Sequence, residues 1–148
     1  MNYKIKNMKV FLSLSTFLLL TLSSVYAQEP ENFTLTVDIQ VTKYNKGSVY
    51  LALYNSKETY MNKAYKTNSG KVVDNKATIT LENIKKGDYA FSLFHDVNSN
   101  KKMDKNFIGI PKEPYGFSNN ESGPFGPPKF EKVVFNINKS KTIKVHIK

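Results

Sequence analysis

Oxygen-bearing side chains recur at alternate positions in "HDVNSNKKMD", His95 to Asp104: Asp96, Asn98 and Asn100, with Asp104 four residues on. Calcium takes six to eight oxygen ligands, and the EF-hand loop draws them from positions one, three and five, a backbone carbonyl at seven, and often water at nine. Asp96, Asn98 and Asn100 fill the first three places. Lys102 offers its carbonyl at seven, and Asp104 falls at nine. Two departures separate this run from the EF-hand. Lys101 stands at six, where glycine makes the sharp turn, and Phe107 stands at twelve, where a bidentate glutamate belongs. Glu113 is a carboxylate further along, but spacing alone does not bring it in. The competing reading is an Asx-turn cluster, because Asp and Asn also bond their own backbone. The expected cofactor is a structural calcium ion of the weak extracellular class, with a Kd of roughly 10⁻⁴ to 10⁻³ M.

Other chemistry is thin. No cysteine exists, which removes thiolate sites, cysteine nucleophiles and disulfides together. Zinc would need more than His95 and His146, the two histidines present. His95 ends an apolar strand face, which favours a packed, hydrogen-bonded role. A serine hydrolase could be drawn from His95 and Ser118, oriented by Asp96 or Glu113, yet no nucleophile-elbow pattern accompanies them. Asp104 and Glu113 as a general acid–base pair is explained more simply by ligation or turn capping.

The elements that hold this run are strands. "FTLTVDIQV", Phe33 to Val41, alternates apolar and polar residues throughout, the period of a half-buried strand. Val49, Leu51 and Leu53 continue after a Lys46-Gly47 turn, which suggests a hairpin. Ser56 is placed to cap a short helix carrying Tyr60, Met61, Ala64 and Tyr65. Ala77, Ile79 and Leu81 alternate again. Tyr89, Phe91, Leu93 and His95 share a face whose reverse holds Ala90, Ser92 and Phe94, so this strand is expected near a sheet centre. Val133, Phe135 and Ile137, then Ile143, Val145 and Ile147, mark the last two strands. Six strands with short turns predict an all-β antiparallel sandwich, with a small barrel as the alternative.

Residues 96–129 form one long loop of 34 residues. Loops of that length are usually functional or disordered. Phe107, Ile108, Ile110, Tyr115, Phe117 and Phe125 argue against disorder, and a folded loop with its own small core is expected. Glu113, Tyr115 and Phe117 are the candidate ligand surface; Tyr115, Phe117 and Phe125 suggest an aromatic platform like those of sugar-binding sandwiches, with packing of the loop onto the sheets as the favoured alternative role for these rings.

The first 27 residues read as a secretory signal peptide. Lys4, Lys6 and Lys9 precede the apolar run Val10 to Leu22, and cleavage is expected after Ala27. That run is shorter than a spanning helix of about 20 residues, so no transmembrane anchor is expected. The domain is then 28–148, periplasmic or extracellular. Without the leader, nineteen lysines face twelve acids, a net charge of +7, and there is no arginine. Scattered lysines of this kind mostly solvate a surface. Missing arginine speaks against nucleic acid. The remaining partners are a glycan or another envelope component, anionic lipid included.

"KGDYAFSLFHDVNSNKKMDKNFIGIPKEPYGFSNN", Lys86 to Asn120, with "GPPKFEKVVFNI" after it, resembles the DUF2141 family of uncharacterised exported bacterial proteins. The shared run is His-Asp, an Asn-rich stretch, an Asp, then Gly-x-Pro-x-Glu-x-Tyr-Gly-Phe-Ser. These are His95, Asp96, Asn98, Asn100, Asp104, Gly109, Pro111, Glu113, Tyr115, Gly116, Phe117 and Ser118 here. Members often carry glycine after the Asn-rich stretch, where this chain has Lys101. The resemblance implies a transthyretin-like or immunoglobulin-like sandwich and no activity. A hydrolase of a purine breakdown product shares the transthyretin-like sandwich. It ends in Tyr-Arg-Gly-Ser and uses an arginine, whereas this chain ends in "VHIK". The function expected from the whole is a non-catalytic exported binding or accessory domain. The alternatives are a hydrolase with a site in the 95–120 loop, or an envelope-surface protein.

Overall fold

The computed structural model describes residues 32–147. The expected signal peptide, residues 1–27, lies outside them. Among the described residues no helix is long and apolar enough to cross a membrane.

Among the described residues eight strands are present where six were expected: β1 (Asn32–Val41), β2 (Ser48–Tyr54), β3 (Lys66–Lys71), β4 (Lys76–Lys85), β5 (Gly87–Asp96), β6 (Tyr115–Phe117), β7 (Phe135–Ile137) and β8 (Lys141–Ile147). A single helical turn, α1 (Phe130–Val133), precedes β7. Two sheets face each other. One has the order β4-β1-β8, and the other runs β3-β2-β5-β6, with β7 also on β5. The fold is an all-β sandwich. Pairing is antiparallel except between β1 and β8, which run parallel from Leu35↔Lys141 to Val41↔Ile147.

The alternation in β1 does what its period requires: Phe33, Leu35, Val37, Ile39 and Val41 are buried. They meet Ala77, Ile79, Leu81 and Ile84 of β4 on their own sheet, and Leu51, Leu53, Phe91 and Leu93 from the opposite one, in a single core. In β4 the buried positions step from Leu81 to Ile84 because Asn83, with φ at 56°, is the extra residue of a bulge. Strand β5 is buried on both faces over much of its length, and lies between β2 on one edge and β6 and β7 on the other. That central strand is the one that delivers Asp96 to the long loop.

Three expectations change. Strands β1 and β2 are no hairpin, since they lie in different sheets and the Lys46-Gly47 bend carries the chain across. Period two says which face of a strand is buried but not which neighbour it takes. The helix from Ser56 stops at separate turns. Ser56 Oγ accepts the Thr59 N–H at 3.3 Å as a cap would, but Met61 turns left-handed at φ 60° and ends it. Val133 is in α1, so the expected long strand shrinks to Phe135–Ile137.

A second small core lies between those turns and α1: Ala90, Phe117 and Val133, with Tyr60 and Phe130 packed against it. Tyr60 sets its ring edge-on to Tyr54 and Phe130, at 5.3 and 5.7 Å. Its hydroxyl is buried without a partner among the described residues. Burial, with Tyr54 adding to it, pushes the Tyr60 phenol up to about 12. The unfolded chain releases that proton near pH 10 and the folded chain only near 12, so stability falls as pH rises through this window. Partial exposure of the ring screens the effect. Tyr60→Phe is expected to hold stability at pH 7 or raise it by up to about 1 kcal/mol, with an equal or higher melting temperature, and to soften the loss between pH 10 and 12. Thermal melts by circular dichroism at neutral and alkaline pH check both. A lower neutral melting point would mean that the hydroxyl has a partner.

Candidate functional site

The chain leaves β5 at Asp96 and turns back on itself at once. Asp96 is fully buried. Its Oδ1 accepts the Asn100 N–H at 3.1 Å and its Oδ2 the Lys101 N–H at 2.8 Å. Asn98 Oδ1 also accepts from the Asn100 N–H, at 3.1 Å, and Asn100 Oδ1 accepts the Lys102 N–H at 2.8 Å. The carboxamides of Asn98 and Asn100 then donate to the two oxygens of Asp104, at 2.6 and 3.0 Å. All four side chains singled out by spacing therefore meet in one cluster. Ser99 and Lys101 have φ of 63° and 62°. Lys101 thus takes the left-handed backbone that glycine takes at position six of an EF-hand, at a cost of roughly 1–2 kcal/mol.

Glu113 joins them, which spacing did not reveal. It is 7% exposed. Its Oε1 accepts the Val97 N–H at 2.9 Å and its Oε2 the Asp104 N–H at 3.2 Å. It reaches them because residues 104–112 form a small hairpin: the Lys112 N–H meets the Asp104 carbonyl at 2.8 Å, and Lys105 bridges to Pro111. One carboxylate thus ties the start of the loop to its turn. In their present geometry these groups serve N–H donors. Among the described residues, no three acidic or histidine side chains are arranged as an ion-holding group.

The same end of the sandwich is closed by His95, fully buried on the core face. Its Nε2 lies 2.6 Å from the Lys46 carbonyl and donates to it, and its Nδ1 has no partner among the described residues. Ser118 is equally buried and is not paired with His95. Its hydroxyl donates to the Val133 carbonyl at 2.5 Å and accepts the Phe91 N–H at 3.1 Å. A hydroxyl held between α1 and β5 is a structural tie and not a nucleophile beside its base.

Residues 37–145 match the family model for uncharacterised proteins conserved in bacteria, DUF2141. The chain belongs to the DUF2141 family. Comparison with curated proteins and with solved structures gave no match. The DUF2141 run now has a physical reading in this chain. Glu113 is the staple just described. Tyr115-Gly116-Phe117 is β6, paired to β5 through Ser92↔Phe117 and Phe94↔Tyr115. Gly116 is needed there, because a Cβ would lie 2.6 Å from Ile147 Cγ2. Gly109, at φ 84°, turns the tip of the 104–112 hairpin.

The candidate ligand surface divides. Phe117 is buried and Tyr115 exposed, their rings edge to face at 5.9 Å. The core expected inside the loop is not formed by Phe107, Ile108, Ile110 and Phe125, all of which are exposed. Tight turns close on their own backbone and offer such side chains nothing to pack against. A depression of about 730 Å³ lies between them, lined by Met61, Leu93, Phe94, Ile108, Tyr115 and Phe125 among others.

Proposed function

We propose that this is an exported, non-catalytic binding or accessory domain whose working surface is the 96–129 loop. In this reading the loop is ordered by a calcium ion taken between Asp96, Asn98, Asn100, the Lys102 carbonyl and Asp104. The observation that carries the proposal is that Asp96, Asn98, Asn100 and Asp104, the residues of the alternating oxygen pattern, fold into one hydrogen-bonded cluster. Asp96, Asp104 and Glu113 each accept N–H groups at the start of the loop and none of them forms an ion pair, the one ion pair among the described residues being Lys57–Glu131. Asn98 and Asn100 would rotate their carboxamides to present oxygen in place of the NH₂ groups now on Asp104. Lys101 already has the backbone that the sixth position needs. Export is supported by the leader architecture of residues 1–27. The partner expected on the surface is a component of the envelope.

Thermal melting with calcium and with chelator tests the ion. At a free calcium concentration ten- to a hundredfold above Kd, the linkage gain is roughly 1.4–2.7 kcal/mol, a rise of roughly 5–10 °C for a domain of this size. Asp96→Ala should melt lower and lose the calcium response. An unchanged midpoint in wild type would leave the cluster as a set of turn caps.

A further inference from the structure

Two tight turns in the loop each carry a phenylalanine at the tip. In the first, the Asn106 side chain accepts the N–H groups of Ile108 and Ile110 at 3.1 and 2.9 Å, and the Gly109 N–H returns to the Asn106 carbonyl at 3.0 Å. Phe107, inside that closure, is 99% exposed, and Ile108 and Ile110 are 64% and 54% exposed. In the second, Gly123 and Gly126 bridge across Pro124-Phe125. A Cβ on Gly123 would lie 2.2 Å from the Gly126 carbonyl oxygen, so the turn depends on having none. Phe125 there is 102% exposed. Both turns border the same depression, which Ile108 and Ile110 of the first and Phe125 of the second line, while Phe107 stands out from the first turn beside it. Closed turns hold these side chains out in water, where the hydrophobic effect works against them.

The charge around them selects the partner. Lys105 and Lys112 stand on the two legs of the first hairpin, both exposed, and no acid lies between them in sequence. Neither forms an ion pair among the described residues. Lys105 precedes Phe107 by two residues, at most about 7 Å of chain. That matches the depth, about 5–10 Å, at which apolar groups enter the boundary between headgroups and acyl chains. Gly123 to Pro128 carries no charge at all.

We propose that the 104–112 hairpin and the 123–126 turn are an interfacial anchor. They insert Phe107, Ile108 and Phe125 into an anionic phospholipid surface while Lys105 and Lys112 meet the headgroup phosphates. The proposal rests on the loop being the working surface, and it holds with or without calcium.

Vesicle flotation tests it on the chain from Gln28 to Lys148, which contains the described unit with its own closed core. The vesicles are phosphatidylcholine with and without phosphatidylglycerol. Binding is expected only with the anionic lipid and should weaken as salt rises. Phe107→Ser and Phe125→Ser should each lower the partition coefficient roughly tenfold, and Lys105→Gln and Lys112→Gln roughly fivefold each. None of these exposed positions should change the melting temperature. The chain has no tryptophan, so Phe125→Trp gives a single reporter whose emission should shift to the blue on the same vesicles. No binding to phosphatidylglycerol vesicles, or equal binding by the double serine variant, overturns the proposal. So does a concentration-dependent dimer that the serine variants abolish without any vesicle binding. A calcium-dependent melting shift surviving alongside such a failure would keep the loop-ion reading and remove only the lipid.

Discussion

Gly47→Ala is expected to lower the melting temperature by roughly 12 °C, and Gly109→Ala by only a third of that. Both glycines have positive φ, 81° and 84°, so both alanine variants pay the left-handed backbone cost of about 1 kcal/mol. Their surroundings differ. A Cβ at Gly109 meets nothing within 4 Å. A Cβ at Gly47 falls 2.1 Å from the Asp96 carbonyl oxygen and 3.1 Å from Val97 Cα, both backbone atoms. Neither can rotate away, so the bend and the end of β5 must separate. Separation also strains the adjoining Ser48↔Asp96 pair and the His95 bond to the Lys46 carbonyl. A total near 3 kcal/mol is expected, which converts at about 4 °C per kcal/mol for a domain of this size. Calorimetry on the two variants reads the difference directly. Equal losses would mean that the contact between Gly47 and the loop start is slack.

That contact marks where sequence reasoning ends. The β1 alternation predicted five buried positions because a strand's period is local and every face-setting residue is in view. The cluster of Asp96, Asn98, Asn100 and Asp104 was legible for a similar reason, since Asx side chains bond backbone within a few residues. Glu113 was not, because it arrives only after the 104–112 hairpin has turned the chain. Strand β3, "KTNSGK", has no apolar alternation to read. It is a mostly exposed strand at the end of its sheet that pairs with β2 along one side, while Asn68 bonds the Thr80 carbonyl of β4 at 2.7 Å. Phe107 and Phe125 misled through their type: an aromatic suggests a core, but burial needs a second surface, and a closed turn supplies none.

Glu113→Ala should cost roughly 2–3 kcal/mol, about 10 °C in melting temperature. The loss comes from the N–H groups of Val97 and Asp104, which would keep only whatever water can reach them. Glu113→Gln separates two accounts of that cost. If the cluster is only a set of caps, the amide keeps one acceptor oxygen and loses the other. The variant then falls between wild type and alanine, with or without calcium. If the carboxylates are gathered for an ion, the outcome depends on calcium. In chelator only the hydrogen bond is lost, so the variant again falls between wild type and alanine. With calcium present, the missing charge weakens binding, because ligand charge sets affinity at such sites. The calcium-induced rise should then shrink to less than half that of wild type. A glutamine variant with the same deficit in both conditions would count against the ion. A deficit that widens as calcium is added would tie Glu113, nine residues beyond Asp104, to the metal that Asp96 and Asp104 are proposed to hold.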